Sequence, residues 1–278
     1  MTSPVRRLAD WLPSRGRTLD PSDVPPPLRG SFECLDTDVG PLWMSTQDEV
    51  MRPYLLSRKT WEPEEGKLLR MLMRPGCRFL DVGANVGYFT LMAARSVPDA
   101  VIDAVEPEPE NLAALRMNLW TNRVRATVWP VALDARTASV GLTTAAANLG
   151  DTRSHEVDAG DDVAYSVVVA SALGDDLFRG RSFDVIKVDV QGFELEVLTG
   201  LQGVIANSPG VRMVVEFWPA SIRERGRDPY AVLAHYREMG FDICCNINDG
   251  LDRLGDAEIV QLCDGAGPNG QINLLLSP

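Results

Sequence analysis

A short glycine-containing segment carries the clearest chemical signal in this chain. Residues 79–90 read FLDVGANVGYFT, in which an apolar run ends in Asp81 and a small loop lies between Gly83 and Gly87. This order is typical of a strand, a tight turn and a helix N-terminus, where glycine lets a ligand approach backbone N–H groups. About twenty residues on, another apolar run ends in Glu106, whose carboxylate can accept hydrogen bonds from both hydroxyls of a ribose. The pattern predicts a bound nucleoside at one edge of a parallel sheet.

The charge and spacing of this loop distinguish between nucleoside cofactors. A dinucleotide fold uses G-x-G-x-x-G, whose middle glycine admits a pyrophosphate, and that glycine is absent between Gly83 and Gly87. Asp81 would repel a diphosphate and attract an ammonium group. S-adenosylmethionine has an amino-acid end, a ribose and no phosphate, so the loop favours it. The alternative interpretation is an ordinary strand-to-helix turn without a ligand.

A second constellation lies in the apolar run near residue 187. Buried parallel strands are apolar almost throughout, yet Lys187 and Asp189 interrupt this one. At a spacing of two they share one face of the strand. They form either a structural ion pair or a catalytic carboxylate with its partner, at the strand end where doubly wound folds place their sites.

Composition limits the classes of partner. The chain has 278 residues and a formal net charge of −12, which disfavours nucleic acid and anionic membranes as partners. No apolar run approaches the ~20 residues of a membrane span, and no apolar signal core follows the first residues. The five cysteines lack C-x-x-C spacing, so neither a disulfide frame nor a zinc site is expected. We therefore expect a cytoplasmic protein.

The order of apolar segments predicts the organisation of the chain. Residues 1–60 form an N-terminal arm or cap, partly disordered, with a short hairpin near 32–44. Residues 61–278 form an α/β domain, because strand and helix patterns alternate with short turns. That alternation predicts a doubly wound, mostly parallel sheet. A β-rich insertion is expected near 135–170, with a polar loop at 148–162.

Several segments together resemble the FkbM family of S-adenosylmethionine-dependent methyltransferases. They are WEPE at 61–64, DVGANVGYFT at 81–90, EP at 106–107, VAL at 131–133 and IKVDVQGFE at 186–194. The resemblance implies the Rossmann-like class I methyltransferase sheet, with seven strands and the last one antiparallel. It also implies O-methylation, which the family performs in natural-product and glycan biosynthesis. One departure is visible, because relatives usually carry Glu where this chain has Gln191.

The resemblance further implies which residues bind the cofactor. The implied contacts come from the glycine loop, the next strand end, a position near the adenine and the second constellation: Asp81, Gly83, Ala84, Asn85, Gly87, Thr90, Glu106, Pro107, Ala132 and Asp189.

Methyl transfer to a hydroxyl needs a proton acceptor. Asp189 is the first candidate for this base, with Lys187 orienting it, and Glu216 at the next strand end is the second. His235 is a third candidate, although its spacing is more typical of a core or surface histidine. A divalent metal held by Asp189, Glu194 and Glu216 is conceivable but not favoured, because Glu194 lies where a helix-capping acid is expected.

The acceptor itself is expected to be a small molecule with a hydroxyl, such as a polyketide or a glycoside. Trp218 is the best candidate for a contact with it, and a homodimer is an open possibility. Three alternatives remain at this stage: an N-methyltransferase, an NAD-linked oxidoreductase, and a cofactor-binding protein without chemistry.

Overall fold

A twisted central sheet covered on both faces by helices organises the protein. The computed structural model describes residues 32–145, 148–156, 167–247 and 250–278. The N-terminal arm predicted at 1–30 therefore lies outside the described residues, as do parts of the predicted polar loop. Within the described ranges, no helix combines the length and apolar character needed to cross a membrane.

Strands and helices alternate along most of the chain. The strands are β1 (Phe32–Thr37), β2 (Gly40–Ser45), β3 (Arg78–Val82), β4 (Val101–Val105), β5 (Thr127–Trp129), β6 (Ala132–Asp134), β7 (Ser139–Ala145), β8 (Asn148–Glu156), β9 (Val167–Leu173), β10 (Val185–Val188), β11 (Arg212–Phe217), β12 (Asp242–Ile247), β13 (Gly250–Asp252) and β14 (Ile272–Ser277). The helices are α1 (Met51–Arg58), α2 (Pro63–Leu72), α3 (Tyr88–Ser96), α4 (Pro109–Asn122), α5 (Gly174–Leu177), α6 (Glu194–Gly200), α7 (Gln202–Ala206), α8 (Pro219–Glu224), α9 (Pro229–Glu238) and α10 (Asp256–Gly265).

The central sheet has the strand order β13-β12-β14-β11-β10-β3-β4-β5. Neighbours from β11 to β5 are parallel, whereas β14 lies antiparallel between β11 and β12. The predicted doubly wound α/β fold with an antiparallel last strand is confirmed. The predicted number of seven strands is wrong, because the short β13 pairs with the outer edge of β12 and makes an eighth.

Parallel pairing aligns the charged positions of neighbouring strands. Asp81 of β3 lies beside Lys187 of β10, one step after the pair Leu80 and Ile186. Because side chains alternate across a strand, Asp81 and Lys187 emerge on the same face of the sheet. That face is covered by the cluster of apolar residues from α2, α3 and the hairpin β1–β2. The register therefore brings two charged groups from distant sequence positions under one layer of helices.

The β-rich insertion forms a separate sheet in the order β6-β9-β7-β8. The polar loop predicted from Asn148 is wrong as far as Glu156, because this segment is strand β8, paired antiparallel with β7. As the outer strand it pairs through its backbone, so it needs no continuous run of apolar side chains to form. His155 lies in this strand.

The hairpin β1–β2 is bound to the helix layer by one buried amide. Asn118 of α4 accepts from the backbone N–H of Trp43 at 2.5 Å and donates to the carbonyl oxygens of Trp43 and Val86, both at 2.8 Å. Its side chain is completely buried. Since Val86 belongs to the glycine loop, one side chain connects the hairpin, α4 and that loop.

Replacing Asn118 by Ala should destabilise the protein strongly. The change leaves one buried N–H group and two buried carbonyl groups without their partner, and each such loss costs about 1–3 kcal/mol. We expect the free energy of unfolding in urea to fall by about 3 kcal/mol or more. The control is Arg116→Ala on the exposed face of the same helix, which should stay within about 0.5 kcal/mol of the parent. A loss equal to that of the control would contradict the role of Asn118.

Candidate active site

A cleft of about 380 Å³ opens beside the carboxyl ends of β3 and β10. Its lining combines two carboxylates, four amides, two indole rings and two apolar side chains: Glu62, Asp189, Asn85, Gln191, Asn269, Gln271, Trp61, Trp218, Val50 and Met51. This is the edge where open α/β sheets bind their ligands. Four residues singled out in the sequence, Asn85, Asp189, Gln191 and Trp218, thus meet at one surface.

The glycine loop after β3 is packed directly onto the end of β10. Gly83 has φ +78°, and a Cβ placed there would lie 1.9 Å from the carbonyl oxygen of Asp189. Gly87 has φ +89°, and a Cβ there would lie 2.5 Å from Leu115. Both positions require glycine for conformation and for close packing of the chain. The glycine loop and the strand end that carries Asp189 are therefore packed tightly against each other.

The N–H groups of this loop are engaged within the protein. Those of Gly83 and Ala84 donate to the carbonyl oxygen of Val105, both at 3.0 Å. The N–H of Asn85 donates to Glu106 at 2.8 Å. These three N–H groups thus have partners within the protein, and contact of the loop with a ligand stays a prediction.

The Glu106 carboxyl group is held by two hydrogen bonds and can accept more. One carboxylate oxygen accepts from the N–H of Asn85 and the other from the N–H of Glu108, each at 2.8 Å. Burial raises the pKa of the Glu106 carboxyl to about 8 against the opposing effect of these two bonds. Each carboxylate oxygen can accept a second hydrogen bond, so the group suits a diol.

Asp81 is completely buried behind the loop. Its Oδ2 accepts a hydrogen bond from the Thr90 hydroxyl at 2.6 Å, while Oδ1 has no partner among the described residues. Burial raises the pKa of Asp81, an effect that Lys187 opposes. Thr90 is itself fully buried, so it positions Asp81 from within the core.

Lys187 and Asp189 form the ion pair that their spacing predicts. Lys187 Nζ lies 3.1 Å from Asp189 Oδ2 and 4.8 Å from the centre of the Phe89 ring. The Lys187 side chain is 1% exposed, whereas that of Asp189 is 23% exposed and reaches the cleft. Burial alone would lower the pKa of Lys187, but the surrounding carboxylates, led by Asp189 and Glu65, raise it above its usual value. The lysine therefore stays charged and holds Asp189 in place.

Glu62 and Glu65 form a second acidic group that the sequence analysis did not identify. Burial raises the pKa values of both, and that of Glu65 is raised well above its usual range. The interaction between the two carboxyl groups lowers the pKa of Glu62 and raises that of Glu65, in addition to the effect of burial. Glu62 then faces the cleft, and Glu65 lies beneath it near Lys187.

Gln191 links the two candidate bases. Its side-chain amide donates to Asp189 Oδ1 at 3.0 Å and to Glu216 Oε1 at 3.4 Å. Glu216 is buried, and burial together with the nearby Asp189 raises its pKa well above the usual range. A neutral carboxyl cannot accept a proton, so Glu216 is the weaker candidate base. A Glu at position 191 would place a third carboxylate here in place of a donor.

Other residues singled out in the sequence lie apart from this cleft. Glu194 accepts from the N–H groups of Val190 and Gly192, as expected for a capping acid. Ala132 is buried in β6, where it pairs with Ser171 of β9. His235 lines a separate groove between α6 and α9. Among the residues that the structure describes, no group of His, Cys, Asp and Glu is arranged to hold a metal ion.

Comparison with known proteins identifies the class of this chain. Residues 81–243 match the methyltransferase FkbM domain family. The matched range covers more than half of the chain and includes the glycine loop, the ion pair and Glu216. The chain belongs to this family.

Two characterised relatives are similar over part of their length. The chain is 31% identical over 176 residues to the 31-O-demethyl-FK506 methyltransferase FkbM of Streptomyces tacrolimicus, covering 51% of this chain and 65% of that protein. It is 27% identical over 128 residues to the hexuronic acid methyltransferase AglP of Haloferax volcanii, covering 45% of this chain and 50% of that protein. The matches thus span from half to just under two thirds of these relatives.

Solved methyltransferases align with lower similarity. The methyltransferase FkbM from Methylobacillus flagellatus KT aligns with TM-score 0.44 and 14% identity, covering 83% of this chain and 53% of that chain. The precorrin-6y C5,15-methyltransferase from Geobacter metallireducens GS-15 aligns with TM-score 0.44 and 10% identity, covering 78% and 87%. The fold assignment rests on the strand order described above.

Gly83→Ala should uncouple the glycine loop from β10. The new Cβ would collide with the Asp189 carbonyl, so the change combines backbone strain with overpacking, which costs a further ~1–3 kcal/mol. The matched control is Gly76→Ala, where φ is +70° but no atom lies within 4 Å of the added Cβ. In thermal unfolding, Gly83→Ala should lower the midpoint clearly more than the control. Equal shifts would show that strain alone matters at position 83.

Proposed function

We propose that the protein transfers the methyl group of S-adenosylmethionine to a hydroxyl of a small-molecule acceptor, with Asp189 as the base. The observation that carries this proposal is the contact between the glycine loop and the end of β10. Asp189 and Asn85 line one cleft because Gly83 packs against the Asp189 backbone. A cofactor held by the loop and an acceptor in the cleft would therefore lie next to each other.

The residues around the loop fit this cofactor. The buried Asp81 Oδ1, which has no partner among the described residues, suits the ammonium group of an amino-acid end. Glu106 has the lone pairs needed for both ribose hydroxyls. When bound, S-adenosylmethionine supplies a methyl carbon on a sulfonium sulfur, which leaves as a neutral thioether when the acceptor oxygen attacks.

Removal of the proton from the acceptor hydroxyl is assigned to Asp189 and its partners. Asp189 accepts the proton that the acceptor hydroxyl loses, while Lys187 and Gln191 hold both carboxylate oxygens in position. A positioned base contributes about 10²–10⁴-fold to such a reaction. Holding the two reactants at attack distance supplies about 7–11 kcal/mol of the barrier. Positioning by the packed loop and strand end is thus the larger contribution.

The acceptor class is suggested by the relatives and by the cleft. One relative is named for a macrolide substrate and the other for a hexuronic acid, which is an anion at neutral pH. The cleft offers Trp61 and Trp218 as flat apolar walls and amides as donors and acceptors. A glycoside or polyketide hydroxyl fits this combination. Transfer to an amine nitrogen would use the same methyl donor, and the test below distinguishes it from transfer to oxygen.

The first test is binding and transfer with purified protein. Calorimetric titration should show binding of S-adenosylmethionine and S-adenosylhomocysteine but not of NAD. Incubation of labelled S-adenosylmethionine with a panel of hydroxyl and amine compounds should give labelled methyl ethers. Binding of NAD instead would overturn the proposal, and label found only on nitrogen would change the reaction to N-methylation. Activity that EDTA abolishes and magnesium restores would add a metal requirement.

Asp189→Asn should abolish turnover while the cofactor still binds. The amide keeps the size of the side chain but cannot accept the proton, so we expect kcat to fall by about 10²–10⁴-fold. S-adenosylhomocysteine affinity, measured by calorimetry, should change little. Asp99→Asn on the exposed surface is the control and should keep full turnover. Full turnover by Asp189→Asn would remove this residue from the role of base.

Cofactor binding should release protons near neutral pH. The Glu106 carboxyl, with a pKa of about 8, is mostly protonated at pH 7, and hydrogen bonds from two ribose hydroxyls favour its ionised form. Binding of S-adenosylhomocysteine should therefore release up to about one proton from this group, and the affinity should rise as the pH approaches 8. Titration in buffers of different ionisation enthalpy measures the release.

Glu106→Gln tests the origin of these protons. The variant should release fewer protons and lose the rise in affinity, while Glu238→Gln at the exposed end of α9 should behave like the parent. Unchanged proton release in Glu106→Gln would show that Glu106 does not bind the ribose.

A further inference from the structure

The cleft has an unbalanced charge. Its described lining contains the carboxylates Glu62 and Asp189 and no Lys, Arg or His side chain. The nearby ammonium of Lys187 is buried and paired with Asp189, and it also interacts with the buried carboxyl groups Glu65 and Asp81. An anion entering the cleft would therefore meet two acids without a free cation in the described lining.

The backbone conformation that places Glu62 in the cleft is energetically unfavourable. It occupies the N-cap position of α2, where Ser, Thr, Asp or Asn is usual, and it makes no capping hydrogen bond. Its backbone is left-handed, with φ 38° and ψ 66°, a conformation that non-glycine residues rarely adopt. The side chain instead lines the cleft. Strain of this kind is concentrated at sites of function.

The two acids behind the cleft also have unused hydrogen-bonding capacity. Glu65 Oε2 and Glu216 Oε2 are buried without a partner among the described residues. Both side chains are at least nine-tenths buried. They lie behind the cleft lining, in which Glu62 and Asp189 are the acidic side chains. Donor groups, neutral or positively charged, complement such a lining, whereas a carboxylate or phosphate does not.

We propose that this site takes acceptors that carry no anionic group near the reacting hydroxyl, and that Glu62 sets this preference. The inference rests on the proposed methyl transfer and narrows its acceptor to neutral or amino-bearing hydroxyl compounds. Glu62 acts by accepting hydrogen bonds from the acceptor and by repelling anions. Uronic acids and phosphorylated sugars are thereby excluded.

The charge of the cleft can be measured without knowing the acceptor. Trp61 lines the cleft and is half-buried, so its fluorescence, taken as the difference between the parent and Trp61→Phe, reports on ions that enter. At constant ionic strength, caesium should quench it more than iodide, each normalised to free tryptophanamide. Glu62→Gln should reduce this bias, and Glu64→Gln, an exposed acid two positions along, should change it much less. Equal access of iodide and caesium would overturn the proposal.

A matched set of acceptors tests the selectivity itself. Methyl glucoside, methyl 2-amino-2-deoxyglucoside and methyl glucuronide differ mainly in charge and are each offered with labelled S-adenosylmethionine. The neutral or the amino compound should receive at least about tenfold more label than the glucuronide, and Glu62→Gln should narrow this gap. Preference for the glucuronide would refute the charge rule while supporting methyl transfer.

The quenching and labelling experiments together distinguish failure of the charge preference from failure of the proposed methyl transfer. If none of the three sugars is labelled, the quenching ratio alone decides the charge rule. If S-adenosylmethionine fails to bind at all, the proposed function falls, whatever the quenching ratio is.

Discussion

A buried ammonium group determines the layout of this site. Lys187 lies in the middle of the sheet, where a lone charge would cost several kcal/mol, so carboxylates must surround it. Asp189 supplies the direct contact, and Asp81 and Glu65 approach from the neighbouring strand and the covering helix. Each of these acids is thereby fixed relative to the others. The pairing of β3 with β10 brings Asp81 alongside Lys187, and the glycine turn is compact enough to leave the cleft open beside them.

The arrangement also separates the roles of the acids. Glu216 and Glu65 are fully enclosed, and burial favours their protonated forms. Asp189, by contrast, is partly exposed, and its carboxylate is bound by the Lys187 ammonium and by the Gln191 amide. Carboxyl groups that lie close together thus have different surroundings, and surroundings rather than residue type set the behaviour of each group.

Much of the layout of the site could be predicted from the sequence, because several of its residues lie at the ends of strands. Asp81 and Asp189 come at or just after apolar runs, and parallel strands bring such ends to one edge. Glu65 could also have been found, since it shares a helical face with Leu68, Leu69 and Leu72 and must be buried with them.

Other parts of the site have no signal in a single sequence. Asn269 and Gln271 lie in an irregular segment between α10 and β14, whose path depends on tertiary contacts. The eighth strand could not be predicted either, because the three exposed residues of β13 show no apolar pattern. The lining of the cleft, by contrast with the compact glycine turn, comes from scattered segments of the chain. A substitution in any one of these segments would change the surface of the cleft without disturbing the strand register, so an architecture of this kind lets the cleft diverge independently of the sheet that carries Asp81 and Lys187.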